Sequence, residues 1–393
     1  MRHPYRFAAV LTLTLSLVVT TVAGSSSSSL LGDPLPGLTD PELALFDAGK
    51  DEFQDVETVE NGLGPVFNEA SCASCHSDPV VGGGSKRLET RFGRLRPDGS
   101  FDPMVEFGGS LLQDHGIGKG ASYDYDAERV PAEATIIAQR RTTPLFGLGL
   151  VDAVSDETFE TLARMQARLT PETAGRPNKV SDLAVKRLAV GKFGWKAQVP
   201  TLFQFAGDAY LNEMGITNPF FPNENCPQGD CSLLAGNPAP GLNDDGGGVE
   251  AFANFMTLLA PPARGPITND VAAGEVIFMS VGCANCHVPA LRTGAHSVKA
   301  LAHQTFFPFS DFLLHDMGNL GDGIEQGQAT AREMRTAPLW GLREIKRLLH
   351  DGRATTIDHA IRAHDGQGAA ARDRFNALPP DSQSKLRSFL NSL

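Results

Sequence analysis

Apolar residues recur at helical spacing along several stretches of the chain, and few stretches alternate with the period of two expected of a half-buried strand. The spacing predicts helices over 41–54, 156–168, 180–190, 249–260, 270–281, 355–364 and 380–391. Two of these have clear start signals: Thr39 followed by Pro41, and Thr268-Asn269 before Asp270. Each supplies an N-cap and a residue suited to the first turn. The segment VEAFANFMTLLA (249–260) stops at Pro261-Pro262, and PPARGPITN reads as a linker because its prolines and glycine interrupt any periodic element. The pattern therefore predicts a mainly α chain divided near residue 260, with one domain over 39–260 and another over 265–393. A length of 393 residues also suits two domains.

The first residues have a different pattern. Arg2 and Arg6 precede an apolar run from Phe7 to Val22, then Ala23-Gly24 and the tract Ser25–Ser29. This order of charge, apolar stretch and small residues reads as a secretory signal peptide over 1–24, with an uncleaved anchor as the alternative. The run is short for a span, and no later segment is long enough to cross a bilayer. No cysteine precedes Cys72, which argues against a lipoprotein. The expected location is an oxidising compartment, a bacterial periplasm.

Composition adds little except through charge. Hydrophobic content of 41% with 20% charged residues is that of a soluble globular chain, and 41 glycines with 26 prolines imply many loops. The net charge of −12 argues against a nucleic-acid partner and suits a small basic redox protein.

The cysteines carry the chemistry. Four of the six lie in Cys72-Ala73-Ser74-Cys75-His76 and Cys283-Ala284-Asn285-Cys286-His287. A CxxC followed at once by histidine can attach a c-type haem, form half a zinc site, or act as a redox dithiol. Two copies in an exported chain favour haem. Each thiol adds to one vinyl group, and the adjacent histidine reaches the iron. Zinc would want its cysteine pairs about 15–20 residues apart, and a dithiol needs no histidine. Cys226 and Cys231 have no such neighbour, so a short-loop disulfide is expected there, with two free thiols as the alternative.

The halves echo one another. AGKDEF (48–53) matches AGEVIF (273–278), and RTTPLFGL (141–148) matches RTAPLWGL (335–342). Each half carries a helix, then a haem motif, then an Arg-Thr-x-Pro-Leu-aromatic-Gly-Leu turn. The expected architecture is two cytochrome c-like haem domains, the first enlarged by insertions.

The order GCANCH, FSDFLLHDMG, RTAPLWGL, LLHDGRATTIDHAIRAH resembles the di-haem oxidoreductases related to bacterial di-haem cytochrome c peroxidases and to the quinone-cofactor-maturing di-haem enzyme. Within them it resembles the branch described as di-haem peroxidases and sometimes labelled thiol oxidoreductases. The resemblance runs from GLGPVFNEASCASCH to the end of the chain. It implies two covalent haem c groups, an N-terminal one that meets peroxide and a C-terminal one that passes electrons. It makes His76 and His287 the proximal ligands. Counting from the HDG motif, the second axial ligand of the C-terminal haem falls on His364, where relatives have methionine or tyrosine. An imidazole there would lower the reduction potential relative to a thioether. His315 and Met317 compete for the role, and His350 suits the haem edge.

The same resemblance maps FGWKAQVPTLFQFAGDAYLNEMG (193–215) onto the catalytic region. It implies Trp195 as the residue between the haems, Gln204 as a distal amide and Glu213 as the distal acid–base group. Arg141 and Arg335, which open the repeated turns, would bind propionates. The loop SDPVVGGGSKRLETRFG reads as mobile and has no histidine. His115 is the nearby candidate ligand, and an open or water-bound sixth position is expected. Relatives also hold a calcium ion between their domains.

Three functions follow. One is a periplasmic peroxidase-like enzyme drawing electrons from a small redox protein or cytochrome. Another is a di-haem electron carrier without its own substrate. The third is an oxidase of a protein or thiol partner, with Trp195 and Trp340 as hole-transfer stations.

Overall fold

The computed structural model describes residues 30–393; the signal-peptide expectation falls outside them. The longer helices are α1 (Asp40–Gln54), α2 (Asp156–Leu169), α3 (Leu202–Met214), α4 (Gly247–Leu258), α5 (Asn269–Ser280), α6 (Ile357–Ala363), α7 (Ala369–Asn376) and α8 (Pro380–Leu390). The principal strands are β1 (Leu88–Leu95), β2 (Ile136–Arg141), β3 (Lys179–Asp182), β4 (Arg187–Val190), β5 (Leu314–Asp316) and β6 (Glu333–Arg335). All pairings are antiparallel: β1 with β2 (Leu88↔Arg141), β3 with β4 (Asp182↔Arg187), β5 with β6 (Leu314↔Arg335).

The AG units explain the repeat. Gly49 on α1 faces α4, and a Cβ there would lie 2.3 Å from the Ala251 carbonyl oxygen. Gly274 on α5 faces α8, where a Cβ would lie 2.0 Å from the Lys385 carbonyl oxygen. Each glycine lets two helix backbones meet, and one turn later a phenylalanine enters the core. Phe53 packs on Phe255 with ring centroids 4.9 Å apart, and Phe278 on Phe389 at 5.1 Å. One helix-pair geometry is thus built twice. Thr268 caps α5 through Oγ1, which accepts from Val271 N–H at 3.3 Å, as its sequence signal predicts.

The fold is mixed rather than mainly α, with 37% helix and 15% strand. The strands are short and pair across long loops, so they leave little local periodicity. The predicted helix over 180–190 is instead the β3–β4 hairpin. Asp182 Oδ1 accepts from the amides of Ala184 (3.0 Å) and Val185 (3.3 Å), an Asx turn that outcompetes the helix.

One core cluster is built around Phe46, Phe53, Phe252 and Phe255, and a second around Phe278, Phe309 and Phe389. The first also takes in Leu291, Phe306 and Phe312, so the two halves share apolar surface. Cys226 and Cys231 form a disulfide. Among the described residues, no helix is long and apolar enough to cross a membrane.

Candidate active site

Ser71 Oγ accepts from Ser74 N–H at 3.2 Å and caps the short helix Cys72–Cys75. That turn presents Cys72, Cys75 and His76 to one cavity. His76 Nδ1 lies 3.1 Å from the Gly83 carbonyl oxygen, to which it must donate. Its Nε2 therefore keeps a lone pair for a metal. The second motif repeats the device, with His287 Nδ1 3.0 Å from the Phe309 carbonyl oxygen. Burial pulls both imidazoles down to about 4, so both are neutral at physiological pH, as metal ligation requires. The glycine-rich loop, expected to be mobile, forms part of the seat: Gly82 N–H donates to the His76 carbonyl at 2.8 Å.

In the second cavity His287 faces His364, at the end of α6. Their ring centroids are 6.5 Å apart. Two metal–nitrogen bonds of about 2 Å, plus each nitrogen's distance from its own ring centre, total about 6 Å. His364 Nδ1 donates to the Ala360 carbonyl at 2.8 Å, leaving Nε2 free. His315 has both nitrogens engaged, Nε2 with Asp311 Oδ2 at 3.0 Å and Nδ1 with Cys286 Sγ at 3.4 Å. Met317 lines the cavity without such an arrangement.

Trp195 stands between. It lines both motif cavities and a third that reaches Trp340. Its Nε1–H donates to the Arg141 carbonyl at 2.9 Å, and its own carbonyl accepts from Arg335 N–H at 2.9 Å. The two repeated arginine turns thus close on one tryptophan, the first on its indole and the second on its backbone. His350, 4% exposed, sits edge-on to that indole at 6.1 Å. Arg335 is buried and Arg141 half-buried. Desolvation pushes both guanidinium groups down to about 10; the Asp311 carboxylate acts on Arg335 without a direct ion pair, and the Arg335 bonds run to the Gly194 and Thr336 carbonyls. Desolvated cations of this kind call for an anion.

These features fit two haems, whose propionates would supply the anions. A dithiol or zinc centre fits poorly. Burial raises Cys75 and Cys283 to about 12, so they stay protonated and are poor redox nucleophiles. Among the described residues no three His, Cys, Asp or Glu side chains converge on a metal site, which argues against zinc, and no calcium site is assigned.

A family model described as "Di-haem oxidoreductase, putative peroxidase" matches residues 124–393. The chain belongs to the di-haem oxidoreductase family. It is a haem-dependent oxidoreductase. No curated protein sequence matches it. Similar solved structures include the hydrazine synthase of Kuenenia stuttgartiensis (16% identity, 97% of this chain and 100% of that one, TM-score 0.41). They also include a MauG-like protein associated with microbial copper homeostasis (13%, 91% and 89%, 0.40). A third is the di-haem peroxidase BthA of Burkholderia thailandensis (14%, 92% and 87%, 0.39).

Within this di-haem oxidoreductase, His76 is the only histidine lining the first cavity among the described residues. Glu213 lines it too, and its Oε2 accepts from Asn68 Nδ2 at 2.7 Å. Burial, aided by the Glu89 carboxylate, raises Glu213 to about 7. Gln204 is elsewhere. It precedes Glu213 by nine residues on α3, which at about 3.6 residues per turn puts it on the opposite face. Its Oε1 accepts from Leu183 N–H at 2.9 Å and its Nε2 donates to the Ser181 carbonyl at 3.2 Å. Gln204 therefore anchors α3 to the hairpin and is no distal amide. His115 is exposed, stacked on Phe67 and bonded to Asp114, outside the cavity.

Sequence reasoning missed Asn68, Glu89, Arg91 and Asp208, which also line the cavity. Glu89 and Arg91 alternate on β1 and pair with each other. Asp208 is raised to about 6 by burial. The alternation of charge in LETRFG was the available signal.

Proposed function

We propose that the chain is a periplasmic di-haem c-type peroxidase, reducing peroxide or a related small oxidant at the first cavity with electrons relayed through the second. In this reading Cys72, Cys75, Cys283 and Cys286 each add across a haem vinyl group to form a thioether. His76 and His287 are the proximal ligands and His364 closes the second site. Arg141 and Arg335 hold propionates. Residues 39–260 and 265–393 act as two cytochrome c-like domains, exported by the segment 1–24. When bound, the haems supply redox-active iron at both cavities.

The contrast between the two cavities carries the reading. The second has two histidines facing across 6.5 Å. The first has a single histidine among the described residues, and polar side chains including Glu213 and Asn68 line the rest of it. Glu213 takes the first proton from peroxide and returns it to the departing oxygen. Asn68 orients the carboxylate through its 2.7 Å hydrogen bond. Trp195, touching both cavities, lies on the electron path, and a small cationic redox protein is the donor.

The ferric holoprotein is expected to show one high-spin and one low-spin haem. Steady-state peroxide reduction with a reduced cytochrome should fall about 10²–10⁴-fold in Glu213→Gln. Equal turnover in both proteins would remove Glu213 from the mechanism, and two low-spin haems that bind no added ligand would leave only an electron carrier.

The third cavity supports a second reading. Trp195 and Trp340 share it, which suits oxidation of a partner through the indoles. Trp340→Phe should then abolish partner oxidation while leaving peroxide-driven cytochrome oxidation in place.

A further inference from the structure

Three charged side chains meet deep between the two halves. Asp322 Oδ1 lies 2.9 Å from Lys196 Nζ, and its Oδ2 lies 2.7 Å from both Arg140 Nε and Nη2. Lys196 is 0% exposed, Asp322 1% and Arg140 3%. Other donors are directed as well, although the buried Arg140 Nη2 makes only the ion-pair contact and no hydrogen bond. Lys196 Nζ donates to the carbonyls of Thr330 (3.0 Å) and Glu333 (2.6 Å), and Arg140 Nη1 to Gln326 Oε1 (2.5 Å). Asp322, Gln326, Thr330 and Glu333 all lie beyond the linker, whereas Arg140 and Lys196 lie before it.

Both cations are chain neighbours of the residues that hold the indole. Lys196 follows Trp195, and Arg140 precedes Arg141, whose carbonyl takes the Trp195 Nε1–H at 2.9 Å. A displaced Arg140 moves the acceptor of that bond, and a displaced Lys196 moves the tryptophan backbone. One carboxylate therefore fixes both ends of the indole's attachment. Buried cations left without this partner would have to reorganise, because an uncompensated charge is poorly tolerated at such depth. A simple link between halves could use surface residues; this one is placed on the two positions adjoining the inter-cavity tryptophan.

We propose that Asp322 is a positioning residue that, by pairing with Lys196 and Arg140, holds Trp195 in register between the two haem cavities. The claim rests on the reading of Trp195 as a relay, but part of its test does not. The test uses the holoprotein and the variants Asp322→Asn and Lys196→Met. The second keeps the Arg140–Asp322 pair, and it decides alone if the first fails to accumulate. The chain has two tryptophans, so in a Trp340→Phe background the ultraviolet resonance Raman N–H marker of the indole reports Trp195 only. Both variants should shift that marker toward a weaker hydrogen bond. Both should slow electron equilibration between the haems about tenfold after flash reduction, with retained covalent haem. In a Trp195→Phe background the same substitutions should cause no further slowing. An unshifted marker, or equal slowing with and without Trp195, overturns the proposal. If Trp195→Phe alone leaves equilibration unchanged, the relay reading falls and the marker still decides whether Asp322 positions the indole.

Discussion

Glu213 illustrates how one side chain can be tuned by its surroundings. Burial beside Glu89 raises its carboxyl to about 7, far above the usual carboxylate range. The base that accepts a proton from peroxide is the ionised form, so kcat/KM should rise with pH about a midpoint near 7. Glu213→Gln should flatten that limb. A raised folded value favours the neutral acid, so the stability it supports is present at low pH and lost as pH rises through about 7. Thermal melts of wild type against Glu213→Gln should therefore converge below about pH 4.5, part between about 4.5 and 7, and keep a constant separation above. His364 gives a second prediction at this scale. Its substitution by Met should raise the potential of the low-spin haem, because thioether ligation favours the reduced iron; a potentiometric titration that finds it unchanged or lowered would argue against His364 as the ligand.

Among the elements, legibility depended on how local the determinant was. Helices α1, α4, α5 and α8 were readable because their apolar faces and caps lie within a few residues. The hairpin over 179–190 was misread because a single Asp182 side chain, bonding the amides of Ala184 and Val185, decides it. Helix α3 was not predicted, and with it went the phase that separates Gln204 from Glu213. A motif copied from relatives gives chain order, whereas only the helix tells which side chains share a face. The closeness of His287 and His364 was legible through family spacing, whereas the engagement of His315 with Asp311 and Cys286 was not. The shared AG units yield a prediction here. Gly274→Ala would drive a Cβ to 2.0 Å from the Lys385 carbonyl oxygen, against backbone that cannot swing aside. The helix-propensity gain of about 1 kcal/mol should be outweighed, for a net loss of roughly 2 kcal/mol. Denaturant unfolding that finds Gly274→Ala neutral would show that α5 and α8 can separate without cost.

For the molecule as a whole, charge sets the terms of encounter. The chain carries a net −12, so a cationic donor is drawn in from solution before any specific contact forms. Salt shortens that reach, from about 30 Å at 0.01 M to about 8 Å at 0.15 M. If electrons arrive from a small basic cytochrome, kcat/KM for that donor should fall steeply over this range, by about tenfold or more. The value for peroxide, an uncharged substrate entering the first cavity, should not change. The effect should lie in association, leaving kcat at saturating donor almost untouched. An acidic donor of similar potential should show the opposite slope. A donor rate independent of ionic strength would mean that electrons enter by another partner or through a neutral patch, while the proposed role of Glu213 and its cavity in peroxide reduction would stand unaffected.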